Sequence, residues 1–400
     1  METEIFSKIA LESERKIIEG MEIKRIRDLY AKIKTSGSNE HSERIDYYTG
    51  IIGLRGIGKT TLLLQLARNY DNPLYFSADA IYLRNFSIYD VVNYAEKNGY
   101  SSFFIDEIHY SKDWTYSLKT LYDEGINNVF FSGSSAIDLM KGADLSRRAI
   151  LFRLPPATFR EYLNIKHGFD FPILSLNEIL EKKTELTNKC MSAYSYFKEY
   201  LEYGGFLYER KEFDSKLVNS INKLASVDLA YLRDINMNVE NDVIRLYNIV
   251  SSLPSFELNY SRLASSLNIT KTTAMRLVSD LAKAGGIIIC NPCRSGYAAV
   301  RNEPKLFLPI PLTSFFSRQL GRTAPIGRLR EEFFISHTKD ACYLKTERGA
   351  KTSDFKSNNV IFEIGGISKS VVQNPDYLVL DGLECFENRI PLFLFGFLSY

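Results

Sequence analysis

The segment GLRGIGKTT combines glycines, a lysine and threonines at a spacing that suits anion binding, and we call it the phosphate loop. Its glycines let main-chain N–H groups approach an anion closely, and Lys59 and Thr60 open a helix whose dipole favours negative charge. The spacing fits G-x-x-x-x-G-K-[ST], in which the lysine reaches the outer phosphates of a nucleotide and the hydroxyl binds Mg²⁺. The alternative is a glycine-rich turn before an ordinary helix. The nucleotide-binding residues that this pattern predicts are Gly53, Arg55, Gly56, Ile57, Gly58, Lys59, Thr60 and Thr61.

An apolar run that ends in two carboxylates, SSFFIDEIHY, follows about fifty residues later. A carboxylate at the carboxyl end of a parallel strand lies where ligands bind in open α/β sheets. Asp106 is therefore predicted to bind Mg²⁺ through water, alongside Thr60, and Glu107 to orient and deprotonate the attacking water. Without the phosphate loop, the same pair would indicate only a solvated acidic strand end. His109 is expected to be only a polar residue at the strand end.

Composition limits the classes of protein to consider. Four hundred residues suggest roughly two to four domains, and a net charge of +2 with 24% charged residues gives no overall nucleic-acid signal. Five cysteines in a chain of this length do not indicate a disulfide framework. The N-terminus lacks the apolar core of a signal peptide, and no run approaches the roughly eighteen apolar residues of a membrane span. We therefore expect a soluble cytoplasmic protein without a membrane partner.

The order of apolar segments predicts an α/β protein with a parallel sheet. From Tyr47 the strands YYTGII, LYFSA, FFID and NVFFSG alternate with helical stretches, and RAILFRLPP suggests a fifth strand. Residues 5–34 are expected to form an amphipathic helix that precedes a polar linker. After Pro156 the sequence predicts mostly helices, then three helices and a hairpin over residues 240–312, and finally mixed α/β structure.

These motifs resemble those of prokaryotic AAA+ ATPases of the type common in archaea, which carry a C-terminal winged helix and a PD-(D/E)XK nuclease-like region. The resemblance rests on GLRGIGKTTLL, FFIDEIHYSKDWTYSLKTLYDEG, VFFSGSSAIDL and LFRLPPATFREYL, and it extends through YLEYGGFLYER and VIFEIGGISKSVVQ. It implies ATP and ADP as ligands, Mg²⁺ as cofactor, ATP hydrolysis and assembly into a homo-oligomer. The implied domains are an N-terminal helix and linker (1–45), an AAA+ core (46–158), a helical lid (159–238), a winged helix (239–322) and a nuclease-like domain (323–400).

Further catalytic residues follow from the resemblance. The family's fourth core strand ends in a small polar residue that senses the γ-phosphate. Ser132 fits this place best, Ser134 is its rival, and a plain serine-glycine turn is the alternative. An arginine before the fifth strand supplies a finger to the neighbouring subunit in AAA+ rings, and Arg147 and Arg148 stand at that place. Two adjacent arginines at a helix end are equally compatible with a solvated helix C-terminus.

The segment from Asn259 to Ile289 predicts a helix-turn-helix followed by a wing. Thr270 can cap a second helix whose apolar residues repeat at helical spacing, and this helix would enter a DNA major groove. Contact with a protein is the alternative, because the helix is only mildly basic. Cys290 and Cys293 form C-x-x-C, but without further ligands they are expected to be buried or neutral rather than to bind zinc. The candidate DNA-contacting residues are Lys271, Thr272, Thr273, Arg276, Ser279, Arg294 and Arg301.

The C-terminal region resembles PD-(D/E)XK nucleases, in which two carboxylates hold a metal that activates water and a lysine assists that water. The lysine position here is Gly365, and the nearest lysine, Lys369, lies beyond a Gly-Gly pair. A lysine that reaches the site from another element is the alternative to a fold kept only for structure or DNA contact. We expect the latter, with little or no DNA cleavage. The corresponding acidic and accessory residues are Glu331 or Glu332, Asp354, Glu363, and Gln373 with Tyr377.

Two classes of function remain open from the sequence. The first is an ATP-driven enzyme or switch that couples nucleotide state to the binding of duplex DNA or of a protein partner. The second is an ATP-regulated nuclease. Stimulation of ATP hydrolysis by DNA, and cleavage of that DNA, would distinguish them.

Overall fold

The chain divides into two compact units, Met1–Pro155 with Val227–Asp234, and Pro156–Ser226 with Ile235–Tyr400. The computed structural model describes residues 3–22, 27–37, 47–134, 143–229, 239–253, 258–293, 303–344, 353–369 and 375–398. Within these stretches, no helix is both long and apolar enough to cross a bilayer. Arg294, Arg301 and Gln373 of the sequence predictions lie outside them.

The first unit is built on a five-stranded parallel sheet. Its strands are β1 (Tyr48–Ile52), β2 (Pro73–Ser77), β3 (Ser102–Asp106), β4 (Val129–Gly133) and β5 (Ala149–Arg153). They lie in the order β2-β3-β4-β1-β5. Strands of a parallel sheet are covered on both faces, which is why YTGII, SFFID and VFFSG are apolar and buried along their length. The predicted parallel α/β sheet is confirmed.

Helices pack around this sheet. They are α1 (Thr3–Glu22), α2 (Asp28–Gly37), α3 (Lys59–Ala67), α4 (Ile88–Lys97), α5 (Trp114–Asp123) and α6 (Ala143–Ser146). α1 packs against β2 and α3, and the Ser13 hydroxyl accepts a hydrogen bond from the Tyr75 N–H at 2.8 Å. The prediction of one helix over residues 5–34 was wrong, because the backbone at Arg27 is not helical.

The second unit begins with a helical region that continues into a hairpin. The helices are α7 (Phe159–Lys166), α8 (Leu176–Tyr194), α9 (Phe197–Tyr203), α10 (Phe213–Lys223), α11 (Val239–Ser252), α12 (Tyr260–Leu267) and α13 (Lys271–Ala284). The strands β6 (Ile288–Cys290) and β7 (Lys305–Phe307) then pair antiparallel. α7 and α8 begin after Thr158 and Ser175, each of which forms a capping box with the glutamate three residues on. The elements expected over residues 240–312 are therefore present.

A mixed sheet closes the second unit. It follows α14 (Leu312–Gln319) and α15 (Ile326–His337) and contains β8 (Cys342–Tyr343), β9 (Phe355–Ser357), β10 (Val360–Gly366), β11 (Tyr377–Asp381) and β12 (Arg389–Pro391). The order is β12-β11-β10-β9-β8. β8, β9 and β10 pair antiparallel, whereas β10, β11 and β12 pair parallel. The mixed α/β structure expected for this region is confirmed.

One apolar core runs through the second unit. It joins Phe159 of α7, Phe197 of α9, Phe307 of β7, Phe333 of α15 and Phe395 near the C-terminus. α7 to α9, the hairpin, α15 and the mixed sheet therefore share buried side chains. The finer domain boundaries at residues 158, 238 and 322 stay predictions.

A buried ion pair fixes α15 within the second unit. The side chains of Arg328 and Glu332 are 0% and 1% exposed, and Arg328 Nε lies 2.9 Å from Glu332 Oε1. The same oxygen accepts hydrogen bonds from the Leu308 N–H at 3.0 Å and the Thr313 hydroxyl at 2.8 Å. Glu332 is therefore used within the fold, and of the two glutamates offered for the nuclease-like site only Glu331 remains.

A disulfide joins Cys293 to Cys342. Cys293 was expected to be buried or neutral, and the structure instead pairs it with a distant cysteine. The Cys293 N–H donates to the Tyr343 carbonyl at 2.9 Å, and the Tyr343 N–H donates to the Asn291 carbonyl at 3.0 Å, so the chain after β6 runs beside β8. Cys290 is free and buried, as expected, and its burial raises the pKa of its thiol to about 12.

Cys293→Ser is expected to lower the free energy of unfolding by about 2–4 kcal/mol in non-reducing buffer, because a link across 49 residues no longer restricts the unfolded chain. Unfolding in denaturant measures the difference. Cys385→Ser removes a free, half-exposed thiol and serves as the matched control. Equal stability of Cys293→Ser and the parent without reductant would contradict this expectation.

Candidate functional site

The phosphate loop, between β1 and α3, depends on glycines at two points. A Cβ on Gly53 would lie 2.4 Å from the Leu154 carbonyl oxygen and 2.5 Å from Ile57 Cδ1. Gly58 has a φ of 98°, in the left-handed region that glycine adopts without strain. α3 begins at the next residue, so the loop presents the N–H groups of a helix N-terminus, which have no partner within the helix. A backbone of this shape can bind an anion.

Lys59 lies in the first turn of α3 and is only 5% exposed. Its Nζ donates hydrogen bonds to the carbonyl oxygens of Gly53 at 3.1 Å and Leu54 at 3.0 Å. A buried ammonium group requires such partners, and a phosphate oxygen would be a stronger one because it carries the opposite charge. The side chain is therefore held over the loop that the glycines shape.

Asp106, at the end of β3, is the centre of a polar network. Its Oδ2 accepts hydrogen bonds from the Thr60 hydroxyl at 2.6 Å and the Tyr75 hydroxyl at 3.0 Å. Its Oδ1 accepts from the Ser132 hydroxyl and, at 3.1 Å, from the Glu107 N–H. Burial and the adjacent Glu107 carboxylate raise the pKa of Asp106 despite these donors. A bound cation would offset that cost, so the carboxylate and the Thr60 hydroxyl fit the oxygen-ligand preference of Mg²⁺.

Ser132 and Tyr75 complete this network from the neighbouring strands. The Ser132 hydroxyl also accepts from the Glu107 N–H at 3.2 Å. The contacts favour Ser132 over Ser134 as the serine of the site, and its role as a phosphate sensor stays a prediction. Tyr75 was not predicted from the sequence, because a tyrosine in an apolar strand belongs to no motif that indicates a contact with Asp106.

Glu107 directly follows β3 and has a φ of 48°. Its Oε1 lies 3.5 Å from Arg55 Nη1, and its Oε2 lies 3.5 Å from His109 Nδ1. The His109 side chain is 1% exposed. Burial, together with the positive charges of Arg55 and Lys59, lowers the pKa of His109 to about 4. The structure therefore brings His109 into the site, where the sequence suggested only a polar strand end.

Arg27 is a further residue of the site that the sequence analysis missed. It is buried, and its guanidinium donates to the Ile57 carbonyl at 2.7 Å and to the Pro155 carbonyl at 2.8 Å. Hydrogen bonds from a charged donor are stronger than neutral ones, so Arg27 stabilises the phosphate loop from outside. The segment KRIRDLY contains no pattern that would have predicted this contact.

The two arginines offered as a finger lie after α6. Arg148 Nη2 is 2.8 Å from Asp123 Oδ1, and its guanidinium carbon lies 5.7 Å from the centre of the Tyr122 ring. These contacts hold Arg148 against its own unit. Arg147 is exposed. Exposure alone does not choose between the two arginines, because Arg147 also has contacts of its own, and the finger role stays a prediction for both.

α13 presents the side chains that were offered for DNA contact. Thr270 caps the helix by accepting from the Thr273 N–H at 3.1 Å, as predicted. Lys271, Thr272 and Arg276 are exposed, whereas Thr273 is half-buried. The apolar positions predicted to face inward are buried, namely Ala274, Leu277, Val278 and Leu281.

Lys369 reaches the carboxylates of the mixed sheet. Its Nζ lies 2.8 Å from Glu363 Oε1 and 3.6 Å from Asp354 Oδ2. Burial opposes the charge, but these ion pairs outweigh it and raise the pKa of Lys369. A Cβ on Gly365 would lie 2.6 Å from Lys369 Cδ, so the missing side chain at residue 365 leaves room for this lysine.

Glu331 lies near this cluster but has a different closest partner. Its Oε2 is 3.9 Å from Lys305 Nζ, and burial raises the pKa of Glu331 to about 7 although Lys305 opposes the rise. Across the described stretches, no group of three or more histidine, cysteine, aspartate or glutamate side chains could hold a metal ion. The single positive charge of Lys369 lies beside both Asp354 and Glu363 and can balance only one of them.

One family model matches the part of the chain that holds the phosphate loop and β3. Residues 46–163 match the family described as AAA domain. An uncharacterized protein of Methanocaldococcus jannaschii, MJ1637, is 31% identical over 317 residues, which cover 73% of this chain and 66% of that protein. The chain thus spans slightly less than two thirds of this relative.

Two solved structures show only a distant similarity. AMPPCP-bound DnaA from Aquifex aeolicus is 18% identical, with 64% of this chain and 87% of that chain covered and a TM-score of 0.27. PCH-2 of C. elegans is 12% identical, with 63% and 66% covered and a TM-score of 0.23. Scores this low support no argument about function.

Proposed function

We propose that this chain, which carries an AAA domain at residues 46–163, is an AAA+ ATPase that binds and hydrolyses ATP with Mg²⁺. The observation that carries the proposal is the meeting of the phosphate loop with β3, where the Thr60 hydroxyl lies 2.6 Å from the Asp106 carboxylate. Lys59 and Glu107 flank this contact. A cation-binding pair, a buried ammonium group and a second carboxylate beside them together supply what phosphoryl transfer to water requires.

Each residue has a separate task in this proposal. Lys59 would exchange its carbonyl partners for phosphate oxygens, and Thr60 and Asp106 would hold Mg²⁺. The metal, when bound, neutralises charge on the phosphates. Glu107 would take the proton of the attacking water, and Ser132 would orient the polar groups between Asp106 and Glu107.

Equilibrium binding of a fluorescent ATP analogue, with Mg²⁺ and with EDTA, tests the binding half of this proposal. Competition by unlabelled ATP and ADP then shows that the site accepts both nucleotides. We expect tighter binding with Mg²⁺, because burial and Glu107 raise the pKa of Asp106 and a cation would stabilise its charged form. Absence of nucleotide binding under both conditions would contradict the proposal.

A homo-oligomer follows from the proposed role of an arginine finger. An arginine supplied by a neighbouring subunit typically raises the rate of hydrolysis by about 10³- to 10⁵-fold. A monomer should therefore turn over slowly. Light scattering with and without ATP would show whether the subunits assemble. We propose a cytoplasmic location for the protein.

We propose that nucleotide state is coupled to a partner bound at α13, with duplex DNA as the first candidate. Lys271 and Arg276 are exposed on this helix, and binding to phosphates through such groups weakens as salt rises. The triple variant Lys271→Ala/Arg276→Ala/Arg294→Ala is expected to bind duplex DNA more weakly and with a smaller salt dependence, by about one unit of slope for each lost phosphate contact.

Fluorescence anisotropy with a labelled duplex at several salt concentrations measures this effect. Lys283→Ala removes an exposed charge near the end of the same helix and is the control. If the triple variant binds DNA as tightly as the parent, α13 has a different partner. A nucleotide-dependent switch or scaffold that binds a protein is then the better account.

An ATP-regulated nuclease is the second candidate, because Lys369 lies beside Asp354 and Glu363. We nevertheless expect little or no cleavage of duplex DNA with Mg²⁺ or Mn²⁺, since the positive charge of Lys369 beside both carboxylates competes with a metal ion for them. Incubation of plasmid DNA with the full chain tests this. Robust cutting that disappears in Asp354→Ala and in Glu363→Ala would contradict the expectation, and Lys369→Ala would then show whether the lysine assists.

A further inference from the structure

Arg55, His109 and Tyr110 form a cluster around Glu107 that the proposed function leaves unexplained. Arg55 Nη2 donates to the Tyr110 hydroxyl at 3.1 Å and lies 3.5 Å from His109 Nε2. Its other terminal nitrogen, Nη1, lies 3.5 Å from Glu107 Oε1. The guanidinium carbon is 5.7 Å from the centre of the Tyr110 ring, so the ring and its hydroxyl together orient the arginine.

The chemistry of these groups fixes the position of one proton. A guanidinium has only donors, so the His109 Nε2 that faces Arg55 must offer a lone pair. A neutral imidazole with an unprotonated Nε2 carries its hydrogen on Nδ1. That nitrogen lies 3.5 Å from Glu107 Oε2. With the hydrogen on Nδ1, the imidazole turns the positive edge of its ring toward the carboxylate, although Nδ1 and Glu107 Oε2 do not form a hydrogen bond.

We propose that Arg55 and His109 are positioning residues for Glu107: Arg55 donates a long hydrogen bond to one carboxylate oxygen, and the imidazole of His109 faces the other. Both distances of 3.5 Å are long for hydrogen bonds, so Glu107 is aligned without being locked. Arg55 belongs to the phosphate loop, which makes the carboxylate sensitive to what the loop binds. An anion in the loop competes with Glu107 for Arg55. When Arg55 turns to the anion, the ring nitrogen of His109 that carries the hydrogen can change. This inference rests on the proposed function, because only a Glu107 that acts as the catalytic base needs to be positioned.

The tautomer of His109 can be measured in the nucleotide-free protein. The chain has four histidines, so long-range ¹H–¹⁵N spectra of protein labelled at histidine are simple, and His109→Gln identifies the signal. We expect the Nδ1–H form in the parent. In Arg55→Met the lone-pair requirement at Nε2 disappears, and we expect the signal to move toward the Nε2–H form.

Two controls belong to this experiment. His337 donates from Nδ1 to the Phe333 carbonyl at 2.7 Å and accepts from the Phe159 N–H at 3.1 Å, so it is a second Nδ1–H histidine that Arg55→Met should leave unchanged. Arg84→Met makes the same substitution at an exposed arginine of the first unit. A His109 that is protonated on Nε2 in the parent, or that keeps its tautomer in Arg55→Met, would overturn the inference.

Kinetics supply the second readout. His109→Gln leaves Lys59, Thr60 and Asp106 in place, so it should lower kcat by about ten- to a hundredfold while KM for ATP changes by less than about threefold. A rise in KM with unchanged kcat would show that His109 does not position Glu107.

The failures of the two proposals can be told apart. If ATP binds and is hydrolysed but the His109 tautomer is the same in the parent and in Arg55→Met, the positioning role is wrong. The proposed ATPase activity is then still correct. If ATP does not bind at all, the proposed function is wrong whatever tautomer His109 adopts. With both correct, a non-hydrolysable ATP analogue should shift the His109 signal in the parent and leave it unshifted in Lys59→Ala.

Discussion

Glu107→Gln is expected to lower the rate of ATP hydrolysis by about 10²- to 10⁴-fold, the usual contribution of a positioned general base, and to leave ATP bound. The amide has nearly the same shape as the carboxylate and can still accept from Arg55 through its oxygen, but it cannot accept the proton of water. Asp106 keeps its hydrogen bonds from Thr60 and Tyr75, so the cation site is not disturbed.

Single-turnover hydrolysis together with equilibrium binding separates these two effects. Glu96→Gln, an exposed glutamate in the last turn of α4, is the matched control and should behave like the parent. A Glu107→Gln protein that hydrolyses ATP at the parental rate would show that another group, or water alone, accepts the proton. Loss of binding instead of turnover would show that Glu107 has a structural role.

Lys59→Ala is expected to weaken ATP binding by roughly a hundredfold or more, because hydrogen bonds between a charged donor and a charged acceptor contribute about 1.5–3 kcal/mol each. The Lys59 ammonium makes two short contacts to the loop, and a phosphate would replace them without moving α3. The same binding assay with Lys97→Ala, an exposed lysine at the end of α4, is the control. Unaltered affinity in Lys59→Ala would contradict the assignment of the phosphate loop.

Features encoded by adjacent residues could be predicted from the sequence. The phosphate loop is a continuous segment, and glycines stand where its backbone needs them, at Gly53, Gly56 and Gly58. The parallel sheet follows from apolar runs that need cover on both faces. Asp106 and Glu107 stand at the end of such a run, so their place at the edge of the sheet also follows from local pattern.

Contacts between distant segments could not be predicted in the same way. Arg27 reaches the Ile57 carbonyl across thirty residues of sequence, and Cys293 meets Cys342 across 49. Neither contact has a motif, because both depend on how separate elements pack. The tautomer of His109 depends on an arginine 54 residues away.

The mixed sheet shows how a local rule can mislead. A glycine at the position of the nuclease lysine suggested that the cation was missing. In the structure the Lys369 N–H donates to the Gly366 carbonyl at 2.9 Å, and this turn brings the side chain back over Gly365 toward Glu363. The positive charge is present, from a different place in the chain.

Phosphate release from ATP by the purified full chain, measured with Mg²⁺ and again after chelation, is the most direct test of the central claim. We predict slow turnover with Mg²⁺, and no turnover once the metal is removed. The rate per subunit should rise with protein concentration, because a neighbouring subunit completes the site. Turnover that is unaffected by chelation, or no turnover at any protein concentration with Mg²⁺ present, would contradict the assignment of this chain as a Mg²⁺-dependent ATPase.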